Sequence, residues 1–430
     1  MDKNLEQVYS LYTNGHSICT DSRMVTKGAI FFALKGDTFD GNKFAPDALA
    51  SGAELVICDD PKFSSQSNTI LVANVLEFLQ NFASYHREKL NIPVIGLTGS
   101  NGKTTTKELI NRVLASQYKT FATKGNLNNH IGVPLSILSI DNQVQIAIIE
   151  MGANHIGEIA ELCSIAQPTH GLITNIGKAH LEGFGSFEGV KQAKSELYRY
   201  LSGQKGELFI NSNNEILNGL ASQCEFSHIH SYGSDNYIVS NSSTSGAYLC
   251  FDLEISGKKF KVNTQLVGQY NVENILAAIC VGHRFGIEPT QAIKAIESYS
   301  PANNRSQIWQ TDRNKVILDA YNANPTSMEQ AIQNFNAMPS ENPKVAILGD
   351  MLELGSYAAK EHQRIAQLAL EVVDKVFFVG QNFKQSCRGG LWFANHQELS
   401  EYLKANPLKG KTILLKGSRG IKLDEIVKQL

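Results

Sequence analysis

One stretch limits what this chain can fold into: Ile92-Pro-Val-Ile-Gly-Leu-Thr-Gly-Ser-Asn-Gly-Lys-Thr-Thr-Thr106. Val94 and Ile95 open a β-branched run that reads as a buried strand, and Thr98 to Gly102 reads as a glycine-rich turn. Leu109, Ile110, Val113 and Leu114 then recur at helical spacing, so a helix follows. Strand, turn and helix make a phosphate cradle, because glycines let backbone N–H groups approach an anion and the helix N-terminus adds partial positive charge. Gly99, Ser100, Asn101, Gly102, Lys103, Thr104 and Thr105 form it. Lys103 is placed for terminal phosphates and the Thr104 hydroxyl for Mg²⁺. The common nucleotide motif has glycine five residues before the Gly-Lys-Thr glycine; here that position is Leu97, so the loop is a shorter Gly-x-x-Gly-Lys-Thr form. A plain turn with a surface lysine is the alternative, and the flanking strand and helix favour the cradle.

The 430 residues suggest about three domains. Lys and Arg number 39 against 41 Asp and Glu, so no global basic field calls for nucleic acid. The polar start, Met1-Asp-Lys-Asn-Leu-Glu, lacks a signal peptide's apolar stretch, and no apolar run approaches the ~18 residues that span a bilayer. The seven cysteines are scattered and never form a Cys-x-x-Cys pair, which points to a reducing cytoplasm and away from disulfides or zinc.

Residues 1–90 read as a small α/β unit. Ile30 to Leu34, Leu55 to Cys58 and Leu71 to Ala73 are its strands, and Ala45 to Ser51 a short helix. Ser22, Arg23, Lys35 and Gly36 can meet an anion at the strand ends or form an ordinary polar rim.

Residues 91–299 read as the phosphate-loop unit. Asn128 and Asn129 lie in an asparagine-rich loop, which can bind a polar ligand or simply turn. Gln145 to Glu150 is a buried strand ending in a carboxylate placed for Mg²⁺. His180 follows the Gly171–Thr174 strand and is either structural or part of a site. A helix is expected over 187–201, with Val190, Ala193, Leu197 and Leu201 as its apolar stripe. Lys194 falls on or beside that stripe, as a snorkelling lysine or one held inside a site. A β-rich excursion precedes about residue 270. Asn271 and Asn274 then share a helical face, to read an adenine edge or to line the helix.

From 300 to 430, strands opening at Lys315, Lys344, Lys375 and Lys411 alternate with helices. This predicts an open parallel sheet with ligands at the carboxyl ends of its strands. Polar loops there carry Asp319, Tyr321, Asn322, Asn324, Asp350, Glu353 and Arg419. The fold class is therefore α/β, with a small N-terminal substrate domain, a central mononucleotide-binding parallel sheet and a C-terminal Rossmann-like domain.

At this point the chain resembles the Mur ligases, ATP-dependent amide-forming enzymes of peptidoglycan synthesis. The phosphate loop, Glu150-Met-Gly-Ala153 and Asn175 to Gly185 carry the superfamily likeness. Thr20-Asp-Ser-Arg23, Gly125 to Pro134, Tyr321-Asn-Ala-Asn-Pro325, Gly349 to Gly355 and Lys416-Gly-Ser-Arg419 narrow it. The resemblance covers all three units. It implies that D-alanyl-D-alanine is joined to UDP-N-acetylmuramoyl-tripeptide at the cost of ATP, by a cytoplasmic monomer.

The resemblance also implies roles. Ser22 and Arg23 hold the uridine nucleotide, and Asn128 and Asn129 contact the sugar-nucleotide substrate. Lys103 contacts the γ-phosphate. Thr104 and Glu150 ligate one Mg²⁺, and His180 with a carbamylated Lys194 ligate a second. Asn271 and Asn274 face the adenine, while Arg305 and Asp319 contact ATP. Tyr321, Asn322 and Asn324 lie near the reacting groups. For the amine substrate, the polar strand-end loops offer Glu353 or Asp350 to orient the ammonium and Arg419 to hold the carboxylate, or these residues only cap strands and stabilise their loops. Two positions depart from the family pattern: Tyr270 and Asn42 stand where histidine is common, and both are expected to bear on ligand fit. Rival readings are another ligase of the superfamily, a phosphate-loop kinase or switch, and a nucleotide-binding scaffold; the last leaves Glu150, His180 and Lys194 unexplained.

Overall fold

A computed structural model describes residues 3–63, 67–233, 236–245, 248–301 and 305–430. The chain divides into two compact units. One comprises Met1–Gly96, Lys119–Gly152 and Ala160–Thr169; the other comprises Leu97–Tyr118, Ala153–Ile159 and His170–Leu430.

In the first unit, Ile18–Cys19, Ile30–Phe32, Leu55–Cys58 and Thr69–Leu71 form a parallel sheet in that spatial order. Ile30–Phe32 and Leu55–Cys58 are buried at every residue, as expected of strands covered on both faces. The helix Ala45–Ala50 covers one face, where Phe31, Ala45, Ala48 and Val56 share a core. Val75–Lys89 is capped by Asn74, which accepts the Glu77 N–H. Arg87 on that helix is buried and solvates its guanidinium on the carbonyls of Leu90, Ala166 and Gln167 at 2.8, 2.9 and 3.0 Å. Two of these carbonyls close a helix C-terminus, where a cation is favoured.

The phosphate-loop strand Val94–Thr98 belongs to a six-stranded sheet. Its spatial order is His228–Tyr232, Glu207–Asn211, His170–Ile173, Val94–Thr98, Ile146–Glu150, Thr120–Ala122. The expected single helix over 187–201 is two helices, Phe187–Lys194 and Glu196–Gly203, meeting at Ser195. Lys194 therefore ends a helix. The β-rich excursion is a three-stranded antiparallel sheet of Tyr237–Ser245, Tyr248–Ile255 and Lys258–Asn263. Leu249, Phe251, Leu253 and Ile255 alternate into its buried face.

The last sheet corrects the all-parallel expectation. Its order is Gln307–Gln310, Asn314–Asp319, Lys411–Lys416, Lys344–Gly349, Lys375–Val379, Leu391–Phe393, and the first strand runs antiparallel to its neighbour. The two edge strands carry the chain's two tryptophans, Trp309 and Trp392. Neither edge was legible: Gln-Ile-Trp-Gln lacks an apolar run, and Leu-Trp-Phe is only three residues long.

Candidate active site

Backbone geometry defines the phosphate loop. Gly99 and Gly102 have φ of 143° and 78°, which disfavour any side chain. A Cβ at Gly99 would lie 2.0 Å from Thr174 Oγ1, and one at Gly102 would lie 2.8 Å from Asn274 Oδ1. The helix Lys103–Leu114 starts at once after Gly102. Lys103 folds back so that Nζ donates to the Gly99 carbonyl at 2.7 Å.

The loop is pinned by the strand end beside it. Asn101 N–H donates to Asn175 Oδ1 at 3.0 Å, while Asn175 Nδ2 and Thr174 Oγ1 donate to the Asn101 carbonyl at 3.0 and 2.6 Å. Ser100 N–H donates to the Asn175 carbonyl, and Ser100 Oγ exchanges hydrogen bonds with Gly177. Thr174 and Asn175 hold the loop's backbone, a part that sequence reasoning did not give them: Asn175 entered only as the start of a family motif and Thr174 as the end of a strand. Both follow directly on the His170–Ile173 strand.

Lys194 is 1% exposed. Its Nζ lies 3.4 Å from the Ala153 carbonyl and 5.2 Å over the Phe184 ring. Burial first, and the positive Lys103 second, push its pKa well below the ordinary lysine value; Glu158 and Glu196 oppose the shift. The snorkelling alternative is excluded by this burial. The amine is biased toward its neutral, nucleophilic form.

His180 has a left-handed backbone, φ 51°, and its Nδ1 pairs with the carboxylate of Glu353. Glu182 N–H donates to the Glu353 carbonyl at 3.1 Å. Beside them, Lys178 Nζ meets the buried Glu361 at 2.7 Å, and Lys178 N–H donates to Thr326 Oγ1 at 3.1 Å. In this arrangement Glu353 is engaged by His180 and is not free to orient an ammonium.

Asp350 is likewise corrected. It is 3% exposed, and its carboxylate accepts the N–H groups of Asn382 and Phe383 at 2.8 and 3.1 Å. Burial raises its pKa. Its neighbour His362 is neutral in role: Nδ1–H donates to the Ala358 carbonyl and Nε2 accepts the Met351 N–H. Asp350 therefore holds loop backbone together.

Arg305 stacks on Tyr321 with its guanidinium 3.7 Å from the ring centre, and Arg419 lies 5.9 Å from the same ring. Arg305 and Tyr321 flank one antiparallel hairpin, and the sheet brings the distant Arg419 to the same ring. Lys416 Nζ reaches Asp319 at 2.6 Å and the Asn322 carbonyl at 3.3 Å. Asn322 accepts the Ala323 N–H, and Asn324 caps the helix Pro325–Ala337. Asn271 and Asn274 are buried and bonded to each other at 2.9 Å; Asn274 also accepts from Thr106 at 3.0 Å. Among the described contacts, their amides line the helix.

In the other unit, Asp21 holds Arg23 by Nε and Nη2 at 2.9 and 2.6 Å and leaves its side chain 85% exposed. Ser22 sits in the same short turn. Glu150 is 2% exposed, and Asn128 Nδ2 donates to its Oε1 at 2.8 Å. Asn129 instead accepts the Ile131 and Gly132 N–H groups, so it shapes its own loop. The two departures from the family pattern sit in different settings. Asn42 is fully buried, donating to Asp40 and Asp59 and accepting from the backbone of Asp59 and Asp60. Tyr270 bonds Ser306 Oγ at 2.7 Å.

Residues 97–282 match the Mur ligase middle domain, 304–419 the Mur ligase glutamate ligase domain, and 14–95 the catalytic domain of the Mur ligase family. The UDP-N-acetylmuramoyl-tripeptide–D-alanyl-D-alanine ligase of Bacillus subtilis is 36% identical over 96% of this chain and 93% of its own. The chain belongs to the Mur ligase family. The ligase of the same name from Escherichia coli is 34% identical over 96% of this chain and 93% of its own. Among solved structures, MurF from Acinetobacter baumannii superimposes with a TM-score of 0.89 at 31% identity, covering 99% of this chain and 97% of that one. MurF from Thermotoga maritima, solved in complex with ADP, gives 0.87 at 26% identity over 97% of both chains. The three-domain α/β Mur ligase fold follows, with a central parallel sheet and a C-terminal mixed sheet. Among the described residues no helix is long and apolar enough to cross a membrane.

Proposed function

We infer that this Mur ligase joins D-alanyl-D-alanine to UDP-N-acetylmuramoyl-tripeptide through an acyl phosphate made from ATP, releasing ADP and phosphate. The end-to-end likeness to ligases of that name carries the reading, and a phosphate loop with a buried lysine beyond it supports it.

A carboxylate is a poor acyl donor, so ATP first phosphorylates the terminal carboxylate of the tripeptide. The dipeptide amine then attacks the acyl phosphate, and phosphate leaves from the tetrahedral intermediate. Lys103 neutralises phosphate oxygens that would otherwise repel the incoming carboxylate. Thr104, Glu150, His180 and Lys194 are the residues we assign to Mg²⁺. A buried carboxylate such as Glu150, steadied by Asn128, is the kind of donor a hard cation takes. Two bound Mg²⁺ would supply charge neutralisation at the transferring phosphoryl group.

Lys194 suits carbamylation. A neutral amine bonds the carbon of CO₂, one C=O electron pair moves to oxygen, and the nitrogen releases a proton. The product is an anion with oxygen donors. The depressed lysine pKa supports this assignment. Ser22 and Arg23 are assigned to the uridine nucleotide. Asn128 and Asn129 are assigned to the sugar-nucleotide substrate, Asn271, Asn274, Arg305 and Asp319 to ATP, Tyr321 and Asn322 to the reacting peptide groups, and Arg419 to the carboxylate of the dipeptide. The working form is a cytoplasmic monomer with domains over 1–90, 91–299 and 300–430.

The test is a mass-spectrometric product assay with ATP, D-alanyl-D-alanine and tripeptide substrates ending in diaminopimelate or lysine. A pentapeptide product that needs all three components is expected. Nucleotide hydrolysis without amide product, or equal use of D-alanine alone, would overturn the reading.

A further inference from the structure

Asn324 forms a hydrogen-bonded chain that ends in the phosphate loop. Its side-chain oxygen accepts the Ser327 N–H at 2.9 Å as the cap of the helix Pro325–Ala337, and Ser327 Oγ receives the Asn324 N–H in return. A backbone N–H can only donate, so the cap fixes which end of the Asn324 amide is oxygen. Its Nδ2 must then be the donor, and it reaches Asn101 Oδ1 at 2.7 Å. Asn101 is the residue whose backbone N–H and carbonyl are already held by Asn175 and Thr174. Asn324 supplies the remaining side-chain restraint. Nearby, a Cβ on Gly177 would lie 2.9 Å from Thr326 Oγ1 and 3.3 Å from Asn101 Nδ2, so only glycine lets the capped helix end come this close.

We propose that Asn324 is a positioning residue for the nucleotide: it acts through Asn101 to hold the phosphate loop, and does not itself touch the amine substrate. The inference rests on the ligase reading for its kinetic arm only. It revises the expectation that Asn324 lies against the reacting groups. It also gives a register between helix cap and loop: the direction of one backbone N–H sets the polarity of two side-chain amides in succession.

The test is a double-mutant cycle on the full chain. Asn324→Ser keeps an oxygen that caps the helix but is too short to reach Asn101. Asn101→Ala removes the receiving group. Titration with ADP is expected to show about tenfold weaker binding for Asn324→Ser, with the dipeptide KM within about twofold of wild type. In the Asn101→Ala background, Asn324→Ser is expected to change ADP affinity by less than about twofold, because the two act as one unit. Independent, multiplying effects would overturn the proposal. So would a raised dipeptide KM with unchanged ADP affinity, or no effect of Asn324→Ser on either. If the wild type makes no amide, the ligase reading fails, and the ADP titrations still decide this one.

Discussion

The phosphate loop and the Gly349–Gly355 loop both follow buried strands, and both are rich in polar and glycine residues, yet they work in opposite ways. In the first, backbone groups form the working surface and glycine conformations define it. In the second, polar side chains turn to partners elsewhere: Asp350 to the N–H groups of Asn382 and Phe383, Glu353 to His180. A polar residue at a strand end is therefore a weak sign of ligand contact, whereas a glycine whose Cβ would collide is a strong sign of close approach. The same contrast separates Lys194, which faces into the protein, from Arg23, which is held at the surface by one carboxylate.

Four substitutions break or sharpen that contrast. The largest effect is expected for Lys103→Ala: a loss of roughly a thousandfold in amide formation, with binding of the uridine nucleotide unchanged. Turnover near wild type would remove Lys103 from the chemistry. Lys194→Ala comes next, at roughly a hundredfold, with partial recovery when short carboxylic acids are added to the assay. Depleting CO₂ should slow the wild type and leave the variant alone; equal behaviour of the two would exclude a carbamate.

Asp350→Ala tests the other loop. It strands the N–H groups of Asn382 and of the buried Phe383, so unfolding measurements should show a loss of about 1–3 kcal/mol while the dipeptide KM holds. A raised KM at full stability would return Asp350 to the ligand. The smallest effect belongs to Glu207, far from either loop in sequence. Hydrogen bonds from Arg284 first, then from His230, pull its carboxyl from 4.5 down to about 2. A depressed acid pKa adds stability that is present above about pH 4.5 and is lost as pH falls toward about 2. Glu207→Gln should cost roughly 1 kcal/mol at neutral pH, after allowance for solvent screening, and the gap to wild type should close on acidification. A gap that stays constant with pH would show that shape, not charge, is what Glu207 supplies.

What was legible in the sequence follows the range of the interactions. The strand–loop–helix of residues 94–114 is encoded by neighbours, through β-branching, glycine and helical spacing. Lys194 was legible because an apolar stripe flanks it, although the break at Ser195 was not: Ser195 itself keeps helical backbone angles, and nothing local marks it as a boundary. The pairing of Glu353 with His180, the cap-to-loop link from Asn324 to Asn101 and the approach of Arg419 to Tyr321 join residues far apart in the chain. No local pattern carries them. Asn42 and Tyr270, the two departures from the family pattern, differ from each other. Asn42 stands out against the family, yet it is buried in a hydrogen-bond network of its own, whereas Tyr270 is half-buried and lines a pocket with Ser306 and Asp319.

The placement of the two tryptophans gives the molecule a built-in optical probe. Trp309 lies on one edge strand of the last sheet and is 44% exposed; Trp392 lies on the opposite edge, its Nε1–H donating to the Gly380 carbonyl at 2.7 Å. Light absorbed selectively by indole therefore reports only on residues beyond 300, from both rims of a single sheet at once. Unfolding followed by tryptophan emission would describe that sheet, while circular dichroism would describe the whole chain. Any separation between the two curves would measure how independently the C-terminal sheet comes apart.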